Sequence, residues 1–290
     1  MRSSVSQFSV SHTYTVKGML FTRGMATSYL AHDEQLDDEV VIEHVRRPLG
    51  EETDWLRQYR SVAVKVMRLR HPNLIAIRDF STDYTTEFFL VKQYDPGITL
   101  DVLLNPAHRD ELSLERRVGL CKDLLRGLAV LHASGVIHRD IKPSGIYVSH
   151  GGDWRGQIDH YNLAVLASGV YLDEQLCGTA VYMAPELISS EPRRYTRQND
   201  VYAAGLVILE ILSGKSVQEL LKLEGVDLVG GPRALLSEVC ARGGHVRQAT
   251  VRKLLSGGYA EPVCCAVQPD PRERFADARC FFESFVLTEE

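Results

Sequence analysis

The sequence holds no apolar run near the roughly 18 residues that a membrane-spanning helix needs, so no membrane association is expected. It also lacks a basic excess: 33 Lys and Arg stand against 38 Asp and Glu, a formal net charge of −5. A nucleic-acid partner, which asks for a basic stripe, is therefore not expected. None of the six cysteines forms a C-x-x-C pair, and the zinc spacings are missing. Cys121, Cys177, Cys240, Cys264, Cys265 and Cys280 read as buried, reduced thiols of a cytoplasmic protein. No long apolar core follows Met1-Arg2-Ser3-Ser4-Val5-Ser6, which argues against a secretory signal. Repeats and low-complexity tracts are absent as well. What is left, 44% hydrophobic and 24% charged residues over 290 positions, suits a globular chain of one large domain or two lobes.

The first hundred residues are strand-rich. Val40-Val41-Ile42-Glu43-His44-Val45 mixes β-branched and polar residues, and Phe88-Phe89-Leu90-Val91 is a short apolar run before the turn signal Asp95-Pro96-Gly97. Between them, Leu56, Tyr59, Val62, Ala63, Val66, Met67 and Leu69 recur at helical spacing and stop at His71-Pro72-Asn73. After Gly97 the pattern turns helical. Leu120, Leu124, Leu128 and Leu131 form one stripe that ends near Gly135, and Val201 to Leu212 is a nearly continuous apolar run. Between these two helices, Ile146-Tyr147-Val148 and Gly156-Gln157-Ile158 flank Gly151-Gly152-Asp153, a hairpin signal. The expected architecture is α+β. It has an extension over 1–13, a small sheet lobe with one helix over 14–94, a hinge over 95–97 and a larger, mainly helical lobe over 98–287.

Five motifs in order carry a resemblance. They are His71-Pro72-Asn73, then His138-Arg139-Asp140-Ile141-Lys142-Pro143-Ser144-Gly145, then Cys177-Gly178-Thr179-Ala180-Val181-Tyr182-Met183-Ala184-Pro185-Glu186. Asp200-Val201-Tyr202-Ala203-Ala204-Gly205 and Asp270-Pro271-Arg272-Glu273-Arg274 follow. Together they resemble the eukaryotic-like protein kinase superfamily, of serine/threonine type, over nearly the whole chain. The resemblance implies a two-lobed kinase-like fold. It also implies a structural set: His138 and Arg139 of the catalytic loop, Asp200 bonding that loop's backbone, and a Glu186–Arg274 ion pair. On the peptide side it implies Asp140 as proton acceptor, Lys142 as its partner and Thr179 as their brace.

The nucleotide and metal positions depart from the family. Its phosphate-holding strand Lys falls on Glu43, and no Lys occurs from Glu34 to Leu56. A carboxylate about 4 Å from a phosphate is repelled by about 4 kcal/mol per unit charge at an effective dielectric near 20. The family's helix Glu falls on Val62. Its two magnesium ligands fall on Gly145 and His160, so no metal site is expected; imidazole is a poor ligand for magnesium. Asp159 stands one residue too early, and only a local slip would present it. The glycine positions of the phosphate loop read Phe21, Arg23 and Ala26, with Gly24 out of phase. Ser28, Val41 and Tyr147 match the adenine slot, and Tyr147 is large enough to fill it. Lys92 stands at the back of that pocket, where it either reaches Glu43 or snorkels to solvent. The activation-loop position that Arg139 would meet is Gln175, beside Glu174, which leaves Ser168 and Tyr171 as the nearby hydroxyls.

These departures imply a pseudokinase: a kinase fold used as a scaffold or allosteric regulator, with another protein as partner, such as an active kinase or other signalling component. No cofactor is expected, ATP without magnesium being the nucleotide state left open. The alternatives are an atypical active kinase with displaced Lys and metal ligands, and a metal-independent nucleotide sensor.

Overall fold

A computed structural model describes residues 13–23, 26–46, 54–80, 87–108, 112–149, 154–167, 172–173, 178–189, 193–226, 230–255 and 257–289. The chain divides into two compact units, residues 1–96 and 97–290.

The first unit is a five-stranded sheet with one helix among its described residues. In chain order come β1 (Tyr14–Arg23), β2 (Ala26–Asp33), β3 (Asp38–Arg46), α1 (Asp54–Met67), β4 (Ile77–Phe80) and β5 (Glu87–Gln93). The spatial order is β1-β2-β3-β5-β4, and every neighbouring pair is antiparallel. Alternation along β3 decides which side chains meet. Val40 and Ile42 turn to one face, where they join Ala31, Phe89 and Val91 in a buried cluster. Val41 and Glu43 turn to the other. Tyr59, Val62, Ala63 and Val66 form the buried stripe of α1, and Tyr59 meets Phe88 edge-on at 4.8 Å between ring centres. The β1–β2 ladder runs to Arg23 opposite Ala26, so only two residues separate the strands.

The second unit is mainly helical. Its elements are β6 (Gly97–Thr99), α2 (Leu100–Leu103), α3 (Leu114–Ala133), β7 (Val136–Ile137), β8 (Ile146–Ser149), β9 (Arg155–Ile158), β10 (Val165–Leu166), β11 (Leu172–Asp173) and α4 (Glu186–Ser189). They continue with β12 (Arg193–Arg194), α5 (Arg197–Ser213), α6 (Val217–Leu223), α7 (Gly231–Arg242), α8 (Gln248–Leu254), α9 (Ala260–Ala266) and α10 (Ala278–Val286). The central helix is α5. Residues 199–211 are buried without interruption, which explains why this stretch is apolar on every face. A reciprocal Thr196–Asn199 capping box starts it, and Gly214, with φ of 67°, ends it. Gly205 lets α9 approach, since a Cβ there would lie 2.9 Å from both Ala266 Cβ and Val267 Cγ1. β8 and β9 pair antiparallel from Ile146–Ile158 to Ser149–Arg155; the hairpin turn at 151–153 lies outside the described residues. The α+β architecture, a β-sheet unit followed by a helical one, follows.

The cysteines require a correction. The five described ones are free thiols, but only Cys121 and Cys264 are buried; Cys240, Cys265 and Cys280 are half-buried. Cys240 and Cys265 sit on helix flanks, where each thiol donates to a backbone carbonyl, Pro185 O at 3.3 Å and Glu273 O at 3.5 Å. Cys177 lies outside the described residues. No helix among the described residues is long and apolar enough to cross a membrane.

Candidate functional site

In the first unit, strand register brings Glu43 and Lys92 together. Val41 stands opposite Lys92 and Glu43 opposite Leu90. Glu43 and Lys92 are therefore diagonal neighbours on one sheet face, within reach of long side chains. Of the two courses open to Lys92, the structure has the ion pair: Nζ lies 2.5 Å from Glu43 Oε2, with both side chains 3% exposed. Glu43 Oε1 is buried and has no hydrogen-bond partner among the described residues. Ser28, buried, stands opposite Glu43 on β2. Val62 lies in the buried stripe of α1, so an apolar side chain serves packing where the family has a carboxylate. Phe21 and Ala26 are placed on β1 and β2, while Gly24 lies outside the described residues.

In the second unit the catalytic loop is tied down by Asp200. Its carboxylate accepts from His138 N (2.7 Å), Arg139 N (2.8 Å) and His132 Nε2 (3.0 Å). His132 Nδ1 accepts from Ala278 N, which fixes the tautomer and links the loop to α10. His138 Nε2 donates to Asp159 O at 2.8 Å, and its ring meets Tyr161 edge-on at 5.8 Å. Tyr161 is fully buried and donates its hydroxyl to Ile158 O. Burial pushes its phenol well above the usual range.

Asp140, Lys142 and Thr179 form a closed triangle. Lys142 Nζ donates to Asp140 Oδ2 (2.6 Å) and Thr179 Oγ1 (2.8 Å), and Thr179 Oγ1 donates to Asp140 Oδ1 (2.8 Å). The cluster holds a carboxylate in a fixed direction, able to accept a proton from a hydroxyl guest. Gly145 offers no side chain, and a Cβ there would lie 3.3 Å from His160 Nδ1, so the imidazole fills the space beside it. Asp159 follows β9 and is only 3% exposed. An imidazole and a missing side chain do not match the oxygen donor set that magnesium requires. Among the described residues no three His, Cys, Asp or Glu side chains gather as a metal site. Tyr147 stands half-buried on β8, opposite Thr99 and Gln157.

Glu186 and Arg274 make a bidentate ion pair at 2.8 and 2.7 Å. The Arg274 guanidinium is fully buried and also donates to Gln198 O, Gln268 O and Pro269 O. Arg139, in left-handed backbone at φ of 71°, stacks over the Tyr195 ring at 3.7 Å. Glu174, Gln175, Ser168 and Tyr171 lie outside the described residues. Sequence reasoning missed Tyr195, which no motif marks. It also missed Glu210, although Glu210 is the only charged residue between Val201 and Leu212 and so the odd one in that run. Glu210 accepts from the Tyr182 hydroxyl at 3.1 and 3.2 Å and from Val217 N. Burial pushes its carboxyl up to about 7. It lines a cleft of about 500 Å3 with Lys142, Thr179, Tyr182, Asp101 and Glu219.

A model of the protein kinase domain matches residues 22–224. The serine/threonine-protein kinase PrkC of Bacillus subtilis is 28% identical over 211 residues, 71% of this chain and 31% of PrkC. A probable serine/threonine-protein kinase, pknA2 of Bifidobacterium longum, is 33% identical over 197 residues, 66% of this chain and 25% of the relative. The serine/threonine-protein kinase PknL of Mycobacterium tuberculosis is 26% identical over 268 residues, 91% of this chain and 63% of PknL. The matched region thus spans from a quarter to under two thirds of these relatives' length. With a kinase-domain match over 203 of 290 residues (22 through 224) and an Asp140–Lys142–Thr179 cluster held on Asp200, the chain belongs to the protein kinase domain family.

Proposed function

We propose that this kinase domain is a pseudokinase: a cytoplasmic scaffold or allosteric regulator that binds another protein and does not transfer phosphate. The observation that carries this reading is the buried Glu43–Lys92 pair. A carboxylate stands where the family holds a phosphate with an ammonium, and the neighbouring ammonium is already engaged by it. Gly145 and His160 point the same way on the metal side. Glu43 and Lys92 then mark a degraded phosphate-holding position in the first unit and Tyr147 an altered adenine-facing position in the second, and no cofactor is retained. The partner surface is the cleft beside Asp140, Lys142 and Thr179, which keeps its shape through the Asp200 and Glu186–Arg274 anchors. Melting the protein with ATP, with and without magnesium, tests the reading. No shift in either condition is expected. A shift with ATP alone means a metal-independent nucleotide sensor. Phosphate transfer from ATP that is lost on Asp140→Asn overturns the proposal.

A second reading, an atypical active serine/threonine kinase, is favoured by one observation, the intact Asp140–Lys142–Thr179 triangle. A magnesium-dependent shift with ATP selects it.

A further inference from the structure

Glu210 lines the cleft named above and is, with Asp200, one of two charged side chains in the buried stretch of α5; it is 3% exposed. Two elements converge on it. The 180–182 turn brings Tyr182, whose hydroxyl sits within 3.2 Å of both carboxylate oxygens. The start of α6 brings Val217, whose N–H donates to Oε1. The same turn begins at Thr179, the brace of Asp140, so whatever holds Tyr182 also holds the floor of the cleft.

The other charges around Glu210 do not neutralise it. Asp101 of α2 and Glu219 of α6 line the same cleft and add like charge. The Glu219 carboxylate is occupied by Ser216 N and Oγ. Lys142 of the catalytic loop is bound to Asp140 and Thr179. Lys215 lies on the lining between α5 and α6. The ionised carboxylate is therefore supported by two neutral donors against burial and two like charges.

The geometry points to Glu210 as a proton-operated latch on the activation-segment turn: ionised, it ties Tyr182 to the first turn of α6; protonated, it makes the Tyr182 hydroxyl an acceptor and removes the negative charge from the cleft floor. The latch goes beyond the pseudokinase reading and stands whether or not phosphate is transferred. Burial pushes the Glu210 carboxyl up to about 7 from 4.5, which brings the change of state into the neutral range. A carboxylic acid must place its own proton, and the nearest acceptor is the hydroxyl that donated to it. Tyr182 then turns its own hydrogen elsewhere, and the bond between the turn and α5 is kept with its direction reversed.

The Val217 amide proton reads the latch directly, because it points at the titrating oxygen. A 1H–15N titration of the protein from about pH 5.5 to about pH 8.5 spans both states. The expected result is a Val217 amide shift with a midpoint near 7. Tyr182→Phe removes a donor to the ionised form and moves that midpoint up by about one pH unit. Glu210→Gln abolishes the titration. A flat Val217 shift, an unchanged midpoint in Tyr182→Phe, or the same curve in Glu210→Gln overturns the latch. Should Glu210→Gln fail to fold, the wild-type curve and the Tyr182→Phe midpoint decide between the outcomes.

Discussion

Lys92→Met breaks the buried pair from one side and leaves Glu43 as a charge without a partner. The two head groups are 2.5 Å apart and 3% exposed. At an effective dielectric near 20 their attraction is about 7 kcal/mol. Removing both from water costs several kcal/mol each, so the intact pair comes out near zero. The balance fails when one partner goes, because the desolvation of Glu43 remains and the attraction does not. Loss of about 3–5 kcal/mol is expected, a fall in melting temperature of about 5–10 °C. Glu43→Leu combined with Lys92→Met replaces both charges by apolar groups, and this double variant is expected at or above wild-type stability. Urea unfolding of wild type, the two single variants and the double variant closes a thermodynamic cycle. A Lys92→Met loss below about 1 kcal/mol, or a double variant as unstable as the singles, would refute the buried-pair reasoning.

Three more perturbations follow from the geometry. Gly145→Asn puts a Cβ 3.3 Å from His160 Nδ1 and is expected to cost about 1–3 kcal/mol, while adding His160→Asp relieves most of it; equal melting points for single and double variants would contradict the packing. Arg274→Met leaves Glu186 without its bidentate partner and is expected to lower stability by about 3–5 kcal/mol in urea unfolding, whereas a near-neutral result would show that Glu186 finds water instead. Glu210, raised from 4.5 to about 7, contributes stability that is fully present below 4.5 and lost as pH rises through 7, about 3 kcal/mol in all. His245, lowered from 6.5 to about 4 by burial, contributes stability present above 6.5 and lost as pH falls through 4, so the two slopes oppose each other between 4.5 and 6.5. The melting temperature of Glu210→Gln should therefore rise relative to wild type as pH goes from 5 to 8, and a constant gap would show that Glu210 does not titrate there.

The fold was legible because its patterns are local. The helical spacing in α1 buries Tyr59, Val62, Ala63 and Val66 along one stripe, and the continuous apolar run after Val201 is buried all round. The Asp140–Lys142–Thr179 triangle and the Glu186–Arg274 pair were legible for another reason: each member stands in a motif that fixes its neighbours. Arg139 shows where this stops. Its ring partner Tyr195 is 56 residues away, and nothing in the spacing pairs a guanidinium with that aromatic. Glu210 shows the opposite failure. Its isolation in an apolar run was visible, but the hydroxyl and amide that explain it come from a turn and a helix start that only the fold brings together. The thiols misled because helical apolar context marks a buried segment, not a buried side chain: Cys264 is covered while Cys265, one residue on, is not.

Gly145 and His160, like Glu43 and Lys92, are interlocked, each fitted to the other. Returning Glu43 to Lys while Lys92 remains would set two ammonium groups at ion-pair distance in a buried site. Gly145→Asn would set a Cβ 3.3 Å from the imidazole, tight enough that His160 would have to shift. Each pair thus couples two positions, so that what one can hold is set by what stands at the other.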